Sequence, residues 1–304
     1  MLPGRADKKQ LLAYAMIFPA LFFFVLYLLF PLVKSLQMSF YDYDGVGPLS
    51  DFIGFGNFAE GFRDSRFYEA MGHNWILMAV ELVVSMCVAF ALAYFLFQGV
   101  FAWKWFNVVL FLPYIIPLAV SAVIWSLIFE PTIGMLNQLL AAVGLDSWQR
   151  VWLGSQDTSL LSVILVWVWR TIPFDMLILL GSLLKIPKEL LEASKIDGCT
   201  GLRSIWHIIL PLMLPTIMLL SIISIANDFR SFDIVWIMTQ GGPIGSTEIA
   251  STLVYKLGFQ ENHYGYANAV AFMVFVIVTA MVGLVGLLLR SRNGKNERTG
   301  GQEG

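Results

Sequence analysis

The sequence predicts an all-α integral membrane protein of six transmembrane helices, with both termini cytoplasmic and a short helix in the loop between spans four and five. Composition, the length of the apolar runs and the placement of Lys and Arg predict it. Hydrophobic residues make up 58% of 304 and charged residues 13%, with a mean hydropathy of +0.74. A soluble domain of this size would lack a polar surface. Several runs exceed the roughly 20 apolar residues that cross about 30 Å of hydrocarbon as helix.

The first span is expected near Leu11 to Val33, after a cytoplasmic tail at residues 1–10. Its apolar run is too long for a signal-peptide core and lacks a small-x-small cleavage site, so it is expected to stay in place, with the mature chain starting at Met1. The next spans are expected near Trp75 to Phe97, Trp105 to Phe129, Leu160 to Leu184, Ile208 to about Asn227, and Tyr266 to Leu289. Pro113 and Pro117 should kink the third. Residues 11–290 then form a single six-helix domain. Residues 291–304 are polar and Gly-rich, and are expected to be a disordered cytoplasmic tail.

Cytoplasmic loops retain Lys and Arg, which sets the orientation. The side holding both termini, Lys104 and the 185–207 loop carries twelve Lys or Arg and six acids. The opposite loops, about 34–74, 130–158 and 229–265, carry six Lys or Arg against twelve acids, so they are external. Cys87 falls in the second span and Cys199 in a cytoplasmic loop, which makes both packing residues rather than a disulfide pair. No Gly-x-x-x-x-Gly-Lys-Ser/Thr phosphate loop is present, so nucleotide chemistry must come from elsewhere. His73, His207 and His263 lie in or at the edge of loops without ligand spacing, so the chain is not expected to be an enzyme.

The 185–207 loop and its exit read Glu192-Ala-Ser-Lys-Ile-Asp-Gly-Cys-Thr-Gly-Leu-Arg-Ser-Ile-Trp-His-Ile-Ile-Leu-Pro211. Pro187 can start a short helix at its first turn, and Gly198 can end it with a left-handed residue. The segment resembles the EAA loop of the membrane subunits of ATP-binding-cassette importers. Glu192, Ala193, Asp197, Gly198, Ile208, Leu210 and Pro211 match without a gap, while Ser194 and Cys199 stand where that family usually has Ala. The resemblance implies a coupling helix that docks a separate ATPase. Glu192 is then a polar contact, Ala193, Ser194 and Ile196 a compact face, Gly198 the bend, and Leu210 with Pro211 the exit angle of the fifth span.

Further segments extend the resemblance over nearly the whole chain, towards sugar-type permeases of the maltose and glycerol-3-phosphate kind. They are Phe30-Pro31-Leu32, Ser35 to Phe40, Phe52 to Phe58, Leu112 to Pro117, Phe232-Asp233, Thr239-Gln240-Gly241-Gly242-Pro243, Thr247-Glu248 and Gly265-Tyr266-Ala267-Asn268-Ala269. The resemblance implies a second homologous permease in a heterodimer, two ATPase subunits carrying ATP and Mg, an extracytoplasmic solute-binding protein, and a bacterial or archaeal cytoplasmic membrane. No cofactor is then bound by this chain, and no nucleic acid.

Ionisable residues inside spans are costly and mark functional sites. They are Glu81, Arg170, Asp175 and Asp228. Trp167, Trp169 and Phe174 suit stacking on sugar C–H faces, and Arg170, Asp175, Asn227, Asp228 and Arg230 suit hydroxyls. These eight are the candidates for the solute path. An internal ion pair between Arg170 and Asp175 is the competing reading, and helix packing through a hydrogen bond is the reading for Glu81. A secondary active transporter working without an ATPase is the rival function. It should carry internal repeats, and no convincing one is found.

Overall fold

The computed structural model describes the backbone of residues 5–99 and 103–300. Five helices are long and apolar enough to cross a membrane: Leu12–Met38, Ser65–Phe97, Gln156–Leu183, Leu202–Asp228 and Tyr264–Arg290. A sixth candidate is broken, with Val108–Ile115 and Leu118–Ile128 meeting at 99°. Pro117 lacks the N–H that would continue the ladder and disfavours helical backbone at Ile116, so the expected kink is a complete break. The second helix starts ten residues before the expected Trp75. Its polar opening turns carry a buried stripe, Phe67, Ala70, Met71, Asn74 and Leu77, at helical spacing. The backbone of the last helix continues to Gly300, into the tail expected to be disordered. Residues 301–304 of that tail and 1–4 of the N-terminal one lie outside the described residues.

The chain forms two compact units. One comprises the residues up to Asp64 with Val254–Met273. Here helix gives way to a two-stranded antiparallel ladder, Tyr41 opposite Phe52 and Asp42 opposite Asp51, the one departure from all-α structure among the described residues. The Asn57 amide fixes its entry by donating to the carbonyls of Ser39 and Tyr41, both at 2.9 Å. The last helix's opening motif closes on the same region. Gly265 donates to the Tyr43 carbonyl at 2.9 Å, and a Cβ on it would lie 2.1 Å from the Tyr41 carbonyl oxygen. Only glycine permits that approach. Tyr266 donates to Asp64 at 2.8 Å and Ser35 to Asn268 at 2.5 Å.

The other unit comprises Ser65–Leu253 and the chain beyond Val274. Gln156–Leu183 is its axis, with 56% of its most apolar stretch buried against 28% for the second and fifth helices. Two apolar clusters grip the axis at separate levels. The first joins Val163, Ile164, Val166 and Trp167 to Leu77, Phe129, Ile234 and Ile249. The second joins Met176, Leu179 and Leu183 to Ala89, Ala93, Met213 and Leu220. Ala89 and Ala93 are fully buried, small residues that let helices approach closely. Between these levels the second helix makes a π-helical turn at Glu81–Ser85, and there the interior turns polar.

Candidate functional site

The polar level encloses a cavity of about 290 Å³ lined by the second, fourth and fifth helices and by Tyr114 and Leu118 of the broken one. Trp167, Arg170, Thr171, Phe174 and Asp175 recur at i, i+3, i+4, i+7 and i+8, so one face of the fourth helix supplies them all. From the fifth helix come Ile223, Ser224, Asn227 and Asp228, and just beyond it Arg230. Seven of the eight path candidates thus share one cavity. Trp169 does not line it. It points about 200° away from Trp167 and packs edge-on against Trp125, with ring centroids 5.4 Å apart.

Hydrogen bonds fix this polar set across helices. Trp167 donates its indole N–H to Asp228 Oδ1 at 2.7 Å. Ser85 donates to Asp175 at 2.8 Å, and Ser224 donates to Glu81 Oε1 at 3.2 Å. Tyr114 stacks on Phe174 at 5.2 Å, and the Arg170 guanidinium carbon lies 5.1 Å from the Tyr114 ring centre. That cation–π contact takes the place of the ion pair with Asp175, which is not formed. Glu81 Oε2, Asp228 Oδ2 and Arg170 Nε are buried without a hydrogen-bond partner. Acceptors, a donor and aromatic faces therefore converge on one concave surface, the composition of a site for a polar solute with apolar faces.

Glu81, Tyr114, Thr171 and Ser224 also line the wall, and none was among the path candidates. Glu81 has its packing hydrogen bond, yet it also faces the cavity. Its place on a π-helical turn is a geometry that concentrates at functional sites.

The second candidate surface is the helix Lys188–Ile196. Pro187 precedes it at the N-cap, one position before the expected first turn. Gly198, at φ +75°, ends it. The Cys199 N–H donates to the Ser194 carbonyl at 2.8 Å and the Gly198 N–H to the Lys195 carbonyl at 3.1 Å, the paired bonds of a Schellman ending. Ser194 is buried and donates to the Leu191 carbonyl at 2.8 Å. Ala193, Ser194 and Asp197 line a groove of about 410 Å³ with Pro211 and Leu212 of the next helix. Glu192 and Gly198 are exposed outside that lining. Ile196 is 87% exposed, and Leu210 is half-buried within the fifth helix, just after its π-helical stretch Ile205–Ile209.

The family described as binding-protein-dependent transport system inner membrane component matches residues 85–293. The chain is 33% identical over 90% of its length to the probable ABC transporter permease protein YurN of Bacillus subtilis (strain 168), covering 94% of that protein. It is 29% identical to the multiple sugar-binding transport system permease protein MsmF of Streptococcus mutans, over 87% of this chain and 89% of MsmF. Its fold matches a chain of a bacterial alginate ABC transporter solved in complex with an alginate pentasaccharide-bound periplasmic protein. There the TM-score is 0.83 and the identity 24%, over 94% of this chain and 96% of that one.

Proposed function

The chain belongs to the family of binding-protein-dependent transport system inner membrane components, and from that premise we propose that it forms half of the path by which an importer driven by a separate ATPase takes up a sugar or oligosaccharide. On this reading the bent pair is the third of six spans, both termini are cytoplasmic, and the membrane is the cytoplasmic membrane of a bacterium or archaeon. The observation that carries the proposal is the helix Lys188–Ile196. It is a short helix with a rigid glycine-terminated end, set between two long apolar helices, and it presents Ile196 to its surroundings. Exposed apolar side chains on a stiff helix, Ile196 with the partly exposed Leu190, suit a cleft on a soluble partner.

Closure of two ATPase subunits would draw this helix and its counterpart on a second, homologous permease together. Pro211 and the rigid fifth helix would carry that motion to Ser224, Asn227 and Asp228 in the cavity wall. The wall suits a carbohydrate. Trp167, Phe174 and Tyr114 offer faces for C–H surfaces, and Asp175, Asp228, Glu81 and Arg170 offer partners for hydroxyls. The second permease would close the other half, and an extracytoplasmic binding protein would deliver the solute. ATP and Mg belong on the ATPase.

An affinity pull-down of the tagged subunit from its native membrane tests this, comparing wild type with Glu192→Ala/Gly198→Asp. A second permease and an ATPase should accompany the wild type, and the double variant should lose the ATPase. Recovery of the stable subunit alone would support the self-contained secondary transporter instead.

A further inference from the structure

The three acids of the cavity wall are held alike. Each takes one hydrogen bond from a neutral donor on another helix: Glu81 from Ser224, Asp175 from Ser85, and Asp228 from the Trp167 indole. Such donors fix the direction of a carboxyl without cancelling its charge. They also leave part of it unused. Glu81 is 2% exposed and Asp228 fully buried, yet Glu81 Oε2 and Asp228 Oδ2 make no hydrogen bond among the described residues. Both residues line the cavity, so the two spare acceptors belong to its wall and not to the apolar clusters above and below. A buried polar atom without a partner is expensive, and more so on an ionised group.

Helix geometry brings those acceptors together. Ser224 and Asp228 stand four residues apart on the fifth helix, one above the other on the same face. Ser224 is the residue that reaches Glu81, so the Glu81 carboxyl sits about one helical turn from that of Asp228. The arginines are placed elsewhere. The Arg170 guanidinium lies over the Tyr114 ring, and Arg230, past the end of the fifth helix, is exposed. The lining therefore sets three carboxyl groups against two guanidiniums, with the most deeply buried pair of charges both acidic.

We propose that the solute is a saccharide bearing a free amino group, and that Glu81 and Asp228 clasp its ammonium between their unpartnered oxygens. The inference rests on the sugar-importer reading above and narrows it. An ionised carboxylate only accepts, and an ammonium brings three donors together with the opposite charge. A hydroxyl brings one donor and no charge, so it leaves much of the cost of a buried carboxylate in place. An acidic saccharide brings charge of the wrong sign and is repelled. Trp167, Phe174 and Tyr114 then take the apolar faces of the sugar ring while the two acids select its substituent. Because the neutral donors already hold both carboxyls, little conformational freedom is lost on binding.

The test is calorimetric titration of the purified importer in nanodiscs, which leave both faces open to solute, without its binding protein. Three probes of similar size differ in charge: a β-1,4-linked glucosamine disaccharide, cellobiose, and a disaccharide of two uronic acids. The wild type should bind the glucosamine disaccharide about tenfold or more tighter than cellobiose, and the uronate most weakly. Glu81→Gln and Asp228→Asn keep an oxygen for Ser224 and for Trp167, so each deletes charge while preserving the wall. In each, the preference for the amine over cellobiose should fall to about twofold or less. Equal wild-type affinities for these two probes overturn the amine site, as do tighter binding of the uronate and failure of all three to bind. A preference that survives both substitutions removes Glu81 and Asp228 from the role. The importer reading fails on a different observation, purification of the subunit without a second permease and an ATPase, which is known before any probe is added.

Discussion

The cavity wall and the loop at 185–207 are two polar regions of one chain, and they hold their shape in opposite ways. In the cavity most of the lining stands on long helices and the side chains do the fixing, through Trp167 to Asp228, Ser85 to Asp175 and Ser224 to Glu81. In the loop the side chains are largely exposed and the backbone does the fixing, through Gly198 at φ +75°, Gly201 at φ +57° and the paired bonds of the Schellman ending. A buried polar group left without its partner is expensive, so the cavity should be sensitive to side-chain chemistry. A surface loop has no such penalty. Its tolerance should be decided by which residues can occupy left-handed backbone.

The contrast breaks most visibly at Trp167. Trp167→Phe keeps an aromatic side chain but deletes the indole N–H, which among the described residues makes the one hydrogen bond to the buried Asp228 carboxyl. A loss of about 1–3 kcal/mol is expected, more if the carboxylate is charged. Thermal unfolding of the purified subunit in detergent measures it, and a variant as stable as wild type would mean that the cavity is not held by its side chains. Gly198→Ala should cost less. A Cβ there meets nothing within 4 Å, so the penalty is purely conformational, about 1–2 kcal/mol. Gly198→Asn sharpens the point, because asparagine tolerates the left-handed region and should recover much of the stability. Equal losses in the two Gly198 variants would show that contacts, not backbone, shape the loop.

Legibility followed the same division. The helix Lys188–Ile196 could be read because backbone devices are local, with Pro187, Gly198 and Pro211 lying within 25 residues of one another. The cavity was legible only where period and residue type coincide. Trp167, Arg170, Phe174 and Asp175 share a helix face, whereas Trp169 has the residue type without the period and faces Trp125. Thr171, four residues after Trp167, has the period and lines the cavity. Glu81 stood out as an acid inside a span, yet its partner Ser224 lies 143 positions away in the chain. Nothing local announces that pairing. The 99° break at Pro117 was likewise visible only as a kink, since whether a proline bends or severs a helix depends on the packing on either side.

The smallest expected effect on stability discriminates most sharply between the two regions. Ile196 is 87% exposed and lies outside both apolar clusters. Ile196→Ser should therefore change stability by less than about 0.5 kcal/mol, the usual range for surface positions. If the loop is the docking element, that near-silent change should still weaken retention of the ATPase in a pull-down. A hot-spot side chain contributes through the cleft it fills, not through its own fold. The cavity offers the converse case, in which loss of transport and loss of stability arrive together. Full ATPase retention by Ile196→Ser would shift the docking role to the groove formed by Ala193, Ser194, Asp197 and Pro211, where the same helix meets the fifth.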